Sequence, residues 1–330
     1  MEKIKEARAD TPGKKIGVCI SGGGAKIGFA VGVLEVMLDK GIEIDLAYGI
    51  SAGSLCTAGL CYGGPDCGVP FLSDTLLGIR KRSNVFKKQW FWALLTLWTG
   101  WGKADGWFEM DTMRRKLNTL PLDKPTMRGV VGYVKLKSGE IEYKSCDPNP
   151  QQSVSKQDFL DAVQASCSIP AAMQSQRYGT DNYVDGGVID VLPLRRFLQD
   201  PLQVTEVHVI CLSPLPTPPT DKTFKNILQV GERSLDLMVD TAFKNDLEYA
   251  KRINNLLDDY QRLAGSGLHT LLAGSALHKW LADKRKIDFF IYEPKDIICD
   301  TFDFQTKTIQ AGIEYGQKVA REILAHYPNH

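Results

Sequence analysis

Histidine and clustered metal ligands are scarce in this sequence. Its 330 residues include 5 histidines, and although 8 cysteines are present, no two of them form a C-x-x-C pair. A protein zinc site is normally encoded by cysteines at such close spacing, often together with histidine. We therefore expect no metal and no cofactor. Several cysteines lie within apolar patterns, as reduced core cysteines do, and this indicates a reducing compartment.

Long hydrophobic runs and an excess of one charge are also missing. No apolar run reaches the roughly 18 residues that indicate a membrane-spanning helix, so the sequence predicts no transmembrane segment. Residues 1–14 form a polar tail without the apolar core of a signal peptide. The net charge of +1 does not favour a nucleic-acid partner. Together these absences predict a cytoplasmic protein.

What is present is a strand–loop–helix pattern that occurs twice within residues 16–62. An apolar run at 15–20 is followed by a glycine-rich loop and a helical pattern at 27–38. A second apolar run at 42–48 is followed by a tight turn and another helical pattern. Repetition of this unit is typical of a parallel sheet with crossover helices. The sequence therefore predicts the α/β class.

The second turn reads Gly49-Ile50-Ser51-Ala52-Gly53, which matches the G-x-S-x-G nucleophile elbow. Glycine allows the chain to turn sharply from strand to helix, and the turn exposes the serine hydroxyl. The helix that follows directs free backbone N–H groups to the same place, where negative charge is favoured. The pattern favours Ser51 as a nucleophile over a plain strand-to-helix turn.

The first turn contains Gly22, Gly23 and Gly24, followed by Ala25, and its backbone N–H groups can bind an anion. A dinucleotide fingerprint would need glycine where Ile27 stands, and no Gly-Lys-Ser/Thr of a Walker loop is present. The remaining interpretation is an oxyanion hole beside the serine, because two turns at the same end of neighbouring parallel strands lie close together.

Four blocks of the sequence resemble those of the patatin-like phospholipases, a family of lipid acyl hydrolases. They occur in the family's order between residues 15 and 194, as Gly22–Lys26, Gly49–Gly53, Ala165–Pro170 and Asp185–Gly187. One departure is Ile27, where many members of the family have glycine. The resemblance implies a three-layer α/β/α fold with a mainly parallel central sheet.

The same resemblance implies the chemistry, which is cleavage of fatty-acyl esters of lipids or phospholipids by a dyad of Ser51 and Asp185. An aspartate is ordinarily a weak base with a pKa of about 3.9, but a buried and dry site would raise that pKa toward the working range. The implied oxyanion loop and motif glycines are Gly22, Gly23, Gly24, Ala25, Gly49, Gly53, Gly186 and Gly187.

Two other functions stay open at this point. A conventional Ser-His-Asp esterase needs a histidine after the aspartate in chain order, and His269 and His278 satisfy that order. His208 lies in the middle of a predicted strand, which indicates a core residue. The third function is a catalytically idle module that retains the fold and binds lipid or membrane.

One segment before residue 107 is unusually rich in basic and aromatic side chains. Its first interpretation is a buried core helix. Its second is a membrane-interface element, in which tryptophan occupies the headgroup region and lysine or arginine attracts anionic lipid. For an enzyme with a lipid substrate, the second implies peripheral membrane contact. The residues concerned are Arg80, Lys81, Arg82, Lys87, Lys88, Trp90, Trp92, Trp98 and Trp101.

The remaining patterns complete a single predicted domain over residues 15–330, in which the catalytic blocks at 15–194 are followed by helices and a strand at 204–330. No repeats and no second catalytic set are present. The expected elements are a loop at 63–70, helices at 71–79 and 111–117, a hairpin at 128–145, helices at 156–167 and 235–257, a strand at 285–292 and a helix at 305–326.

Overall fold

The computed structural model describes residues 15–78, 87–88, 106–109, 111–216, 218–219, 223, 227–265, 275, 279–281 and 284–327. Its strands are β1 Ile16–Ile20, β2 Leu46–Gly49, β3 Lys87–Lys88, β4 Gly106–Glu109, β5 Arg128–Lys135, β6 Glu140–Cys146, β7 Ala171–Met173, β8 Gln176–Tyr178, β9 Asp181–Asp185, β10 Glu206–Ile210 and β11 Asp288–Tyr292. Its α-helices are α1 Ile27–Asp39, α2 Ala52–Leu77, α3 Asp111–Leu117, α4 Lys156–Ser166, α5 Leu194–Leu198, α6 Ile227–Gly265 and α7 Thr306–Ile323.

An eight-stranded sheet forms the centre of the fold, in the order β11-β10-β1-β2-β5-β9-β8, with β6 also paired to β5. Neighbouring strands from β11 to β5 run parallel, whereas β6, β8 and β9 pair antiparallel. A smaller sheet has the order β3-β4-β7. Helices cover both faces of the central sheet, so the expected three-layer α/β/α fold is confirmed.

The two helix layers follow from the alternation of side chains along the strands. In β1, Val18 and Ile20 belong to one buried cluster with residues of α1, α2, α4 and α7. Cys19, between them, belongs to a second buried cluster that contains Leu194 and Phe197 of α5. Because both faces of the strand are buried, its sequence is an unbroken apolar run rather than an alternating one.

The strand β5 brings two carboxyl-terminal strand ends together. β6 pairs along almost the whole of one edge of β5, so β2 and β9 share the other edge. β2 runs parallel to β5 and ends with Gly49 opposite Val131, whereas β9 runs antiparallel and ends with Asp185 opposite Tyr133. The ends of β2 and β9 therefore face each other on either side of Gly132.

One sequence expectation is wrong, because residues 63–70 are helical rather than a loop. The helix α2 continues through them with a kink at Gly64, whose φ of 71° and ψ of 177° are not helical. Pro65 then opens the second half of α2. A proline is tolerated there because a first-turn N–H has no partner within the helix. The glycine and proline of this segment thus mark a kink between two helical halves.

The other expected elements are present. The hairpin is β5-β6, and the helix at 156–167 is α4, which Ser155 caps by accepting a hydrogen bond from the backbone N–H of Asp158 at 3.1 Å. The helices at 71–79 and 111–117 are the second half of α2 and α3, and the last strand and the closing helix are β11 and α7. The helix α6 is longer at both ends than its sequence pattern at 235–257 predicts.

The C-terminal part packs directly on the part that carries the glycine loop. β10 lies beside β1 in the sheet. The helix α7 crosses α1 so closely that a Cβ at Gly32 would lie 2.0 Å from the carbonyl oxygen of Ile313, and one at Gly316 would lie 2.1 Å from that of Phe29. The division into a polar tail and one domain over residues 15–330 stays a prediction.

Most of the segment rich in tryptophan and basic residues lies outside the described residues, and this applies to Arg80, Lys81, Arg82, Trp90, Trp92, Trp98 and Trp101. Lys87 and Lys88 form the short strand β3, antiparallel to β4, so a helix is wrong at these two positions. The role of the segment stays a prediction. In the described ranges, no helix combines the length and hydropathy that crossing a bilayer requires.

Candidate active site

The turn between β2 and α2 holds Ser51 in a conformation that is rare for a residue with a side chain. Its φ is 52° and its ψ is −122°. A Cβ at Gly49 would lie 2.1 Å from the carbonyl oxygen of Gly53, and a Cβ at Gly53 would lie 2.3 Å from the carbonyl oxygen of Ile20. Neither position has room for a side chain, so both glycines of the pentapeptide are required by the close approach of the backbone.

The carboxyl group of Asp185 lies at the end of β9 and is almost completely buried, with 4% of the residue exposed. Its Oδ1 accepts a hydrogen bond from the backbone N–H of Gly187 at 2.8 Å, and the Ser51 hydroxyl lies near enough to stabilise the ionised carboxylate. Burial raises the pKa of Asp185 from 3.8 to about 7, while the Ser51 hydroxyl and the N–H of Gly187 act in the opposite direction. The two side chains that the sequence singles out, 134 positions apart, therefore lie close together.

The glycine loop is braced at both ends and lies beside Ser51. A Cβ at Gly22 would lie 3.1 Å from the Cβ of Ser51. The backbone N–H of Gly22 donates to the carbonyl oxygen of Val191 at 3.1 Å, and that of Ala25 donates to the carbonyl oxygen of Thr301 at 2.8 Å. These two N–H groups are engaged within the protein.

The two central N–H groups of the loop differ from the outer two. Those of Gly23 and Gly24 have no hydrogen-bond acceptor among the described residues. Of the four loop positions predicted from the sequence, Gly22 and Ala25 thus hold the loop in place, whereas the N–H groups of Gly23 and Gly24 have no acceptor in the described part of the chain.

The segment directly after β10 packs against the glycine loop. Leu212 packs against Gly23, where an added Cβ would come within 2.6 Å of the leucine Cβ. The side chain of Lys26 is only 2% exposed, and its Nζ donates to Ser213 Oγ at 3.0 Å. The lysine of the glycine block is therefore directed into the protein, where it ties the loop to the sheet.

An apolar pocket opens beside Ser51. The space within it that a water-sized sphere can occupy is only about 30 Å³. Side chains from α1, α2, α3 and the segment before α7 line it, and they include Ile27, Leu55, Leu76, Met113, Phe302 and Phe304. A lining of this composition suits a hydrocarbon chain better than a charged group.

Among the described residues, no histidine forms a hydrogen bond with Ser51. His208 is completely buried in β10, with Nδ1 2.7 Å from Tyr292 Oη and Nε2 3.0 Å from Glu206 Oε1. This agrees with the core role expected from the sequence. His269 and His278 lie outside the described residues, so the Ser-His-Asp alternative stays a prediction. The described part of the chain contains no group of three side chains that could hold a metal ion.

Sequence reasoning missed the backbone carbonyl groups that support the site. The carbonyl groups of Val191 and Thr301 anchor the glycine loop, but a backbone carbonyl leaves no signature in residue type. The block Ala165–Pro170 was recognised by resemblance alone. In the structure, the hydroxyl of Ser166 accepts a hydrogen bond from the backbone N–H of Ser51 at 3.0 Å.

The chain belongs to the patatin-like phospholipase family, whose sequence model matches residues 18–198. This membership supports a lipid acyl hydrolase activity in general terms. Among solved structures, VipD from Legionella pneumophila is 14% identical, with a TM-score of 0.39 over 94% of this chain and 67% of that one. Human GIVD cytosolic phospholipase A2 is 10% identical, with a TM-score of 0.35 over 64% of this chain and 45% of that one.

Proposed function

We propose that this protein is a serine acyl hydrolase that cleaves fatty-acyl esters of lipids, phospholipids among them, with Ser51 as nucleophile and Asp185 as base. The observation that carries the proposal is the buried carboxyl group of Asp185 close to the hydroxyl of Ser51, which lowers its pKa. A carboxylate with a pKa of about 7 can accept a proton from a serine hydroxyl near neutral pH and return it in the next step.

The first half of the proposed reaction forms an acyl-enzyme. Ser51 Oγ attacks the ester carbonyl carbon while its proton passes to Asp185. The carbonyl oxygen becomes negatively charged, and the free backbone N–H groups of Gly23 and Gly24 are the donors that stabilise it. When the tetrahedral intermediate collapses, the bond to the alcohol breaks and Asp185 gives its proton to the departing oxygen.

The second half releases the fatty acid. Asp185, again ionised, takes a proton from a water molecule whose oxygen attacks the acyl carbon. The second tetrahedral intermediate collapses, the bond to Ser51 Oγ breaks, and the proton on Asp185 returns to the serine. No histidine is needed in this sequence of steps, because burial gives the aspartate the pKa that a histidine would have by nature.

The apolar pocket beside Ser51 supports a fatty acid as the acyl part of the substrate. The described residues of its lining provide hydrophobic contact along a chain and include no charged side chain for a headgroup. The corresponding class is a carboxylic ester hydrolase of the phospholipase A type. Peripheral contact with a membrane, through the segment around Trp98, would bring such an enzyme to its aggregated substrate.

Labelling with a fluorophosphonate tests the nucleophile. The wild-type protein should be labelled and should hydrolyse a soluble nitrophenyl ester, and Ser51→Ala should lose both properties. Ser175→Ala serves as the matched control, because Ser175 is also a buried serine and its hydroxyl accepts a hydrogen bond from Asn182 Nδ2 at 2.9 Å. Turnover by Ser51→Ala near the wild-type rate would contradict the proposal.

The base is tested separately. Asp185→Asn should lower turnover at least about a hundredfold, the lower end of what a general base contributes. His269→Ala and His278→Ala should retain activity. Loss of activity in a histidine variant together with an active Asp185→Asn would favour the Ser-His-Asp esterase instead.

A further inference from the structure

The turn at the end of α4 contacts both proposed catalytic residues. The hydroxyl of Ser166 accepts the backbone N–H of Ser51 at 3.0 Å, and the Sγ of Cys167 lies 3.1 Å from the Ser51 carbonyl oxygen. The carbonyl oxygen of Ser168 accepts the backbone N–H of Asp185 at 2.9 Å. Three successive residues thus bond to two residues that are far apart in sequence.

The contacts to Ser51 fall where the backbone most needs them. A φ of 52° with a ψ of −122° is strained for a residue with a Cβ, and such a conformation persists only when its surroundings enforce it. The Ser166 hydroxyl accepts a hydrogen bond from the backbone N–H of Ser51. The Cys167 thiol and the Ser54 hydroxyl, the latter at 2.6 Å, donate to the carbonyl oxygen of Ser51. Both polar groups of the strained residue are therefore fixed.

The turn itself rests on a rigid support. The helix α4 begins at the cap of Ser155, and Phe159 and Val163 are completely buried in the core against the sheet. At its end, the N–H of Cys167 donates to the carbonyl oxygen of Val163 at 3.1 Å and that of Ser168 donates to Ala165 at 3.0 Å. A site held by the end of a packed helix keeps its geometry better than one held by a loop.

We propose that the Ser166–Ser168 turn is a positioning element, and that the Ser166 hydroxyl is the positioning residue that keeps Ser51 Oγ aligned with the Asp185 carboxyl. The proposal rests on the proposed dyad. The turn bonds to the backbone of Ser51 and to the backbone of Asp185, so it fixes the spacing of the two side chains. The helix end acts as a bridge between the end of β2 and the end of β9.

Ser166→Ala tests this inference, with Ser175→Ala as the control for the loss of one buried serine hydroxyl. Misplacement by about 1 Å can cost about a hundredfold in rate, so Ser166→Ala should lower kcat for a soluble ester at least about tenfold while KM stays within about twofold. The rate of fluorophosphonate labelling should fall by a similar factor. Ser175→Ala should match the wild type in all three measurements.

The pH profile gives a readout that a purely structural role would not change. The nearby Ser51 hydroxyl lowers the pKa of Asp185, so displacing Ser51 should move the midpoint of the kcat/KM profile to higher pH in Ser166→Ala, and the midpoint should be unchanged in Ser175→Ala. If Ser166→Ala does not fold, Ser166→Cys keeps the size of the side chain with a weaker acceptor, and it should change kcat and the midpoint in the same direction.

Two failures are distinguishable. If Ser51→Ala is inactive but Ser166→Ala and Ser166→Cys keep the wild-type kcat and pH midpoint, the positioning role is overturned and the dyad remains. If Ser51→Ala retains activity, the dyad itself is wrong.

Discussion

Replacement of Asp185 by asparagine should remove the activity and stabilise the protein at neutral and alkaline pH. The amide has almost the shape of the carboxyl group and its Oδ1 can still accept the N–H of Gly187, which lies 2.8 Å from the aspartate oxygen. Unlike the carboxylate, the asparagine side chain can neither accept the proton of the serine nor carry a charge. Asp185 is 4% exposed, so ionisation of its carboxyl group costs more free energy in the folded protein than in water.

The size of the stabilisation follows from the pKa. Below pH 3.8 the carboxyl group is protonated in both the folded and the unfolded chain, and its burial adds no ionisation penalty. As the pH rises from 3.8 to about 7, the unfolded chain ionises first, so the wild-type protein loses stability; above about 7 the loss is constant. At about 1.4 kcal/mol per pH unit, the full difference is roughly 4 kcal/mol.

Urea unfolding of both proteins between about pH 4 and pH 9 measures this effect. The difference in free energy of unfolding should be near zero at the acid end and should reach its full value above about pH 7, with Asp185→Asn the more stable protein. Over the same range, the wild-type kcat/KM should rise about tenfold per pH unit and level off above about pH 7, because the ionised aspartate is the base. Asp185→Asn should show no such rise.

Asp181→Asn is the matched control on the same strand. The hydrogen bond with Lys135 lowers the pKa of Asp181, so this variant should gain no stability as the pH rises and should retain activity. A pH-independent difference between wild type and Asp185→Asn would show that the carboxyl group is not buried with a raised pKa. An active Asp185→Asn would refute its role as base.

Three further predictions concern the surroundings of the dyad. Gly22→Ala places a Cβ 3.1 Å from that of Ser51 and should lower kcat. The control is Gly312→Ala, whose Cβ meets nothing closer than 3.4 Å and which should keep the wild-type kcat. A wild-type kcat in Gly22→Ala would show that the glycine loop takes no part in the reaction. Met113→Trp narrows the apolar pocket and should reduce hydrolysis of long-chain esters more than of an acetate ester; equal loss on both would argue against an acyl pocket. Trp98→Ala with Trp101→Ala should weaken binding to anionic vesicles and spare a soluble ester, while a core role would lower the melting temperature and both activities together.

The features that depend on residue type and short spacing could be predicted before the structure. The elbow at Gly49–Gly53 was predictable because only glycine leaves room for its backbone contacts. The core role of His208 was predictable because it lies in a short apolar run. The repeated strand–loop–helix pattern indicated the α/β class. The order of the four blocks indicated the family and the pair of Ser51 and Asp185 as candidates.

Local pattern failed where glycine and proline have more than one meaning. At Gly64 and Pro65 the composition predicted a loop, but the chain keeps its helical direction on both sides of a single non-helical residue. A kink and a loop contain the same residues, and only the packing of the two helical halves distinguishes them.

The contact between Ser51 and Asp185 was decided by the tertiary structure. It depends on β6 occupying one edge of β5, so that β2 and β9 meet end to end along the other. The bracing of the glycine loop by Val191 and Thr301 likewise depends on which segments the sheet order brings together. Strand order is set by the burial of all helices and strands at once, and backbone carbonyl groups are the same in every residue, so neither can be read from a local stretch of sequence.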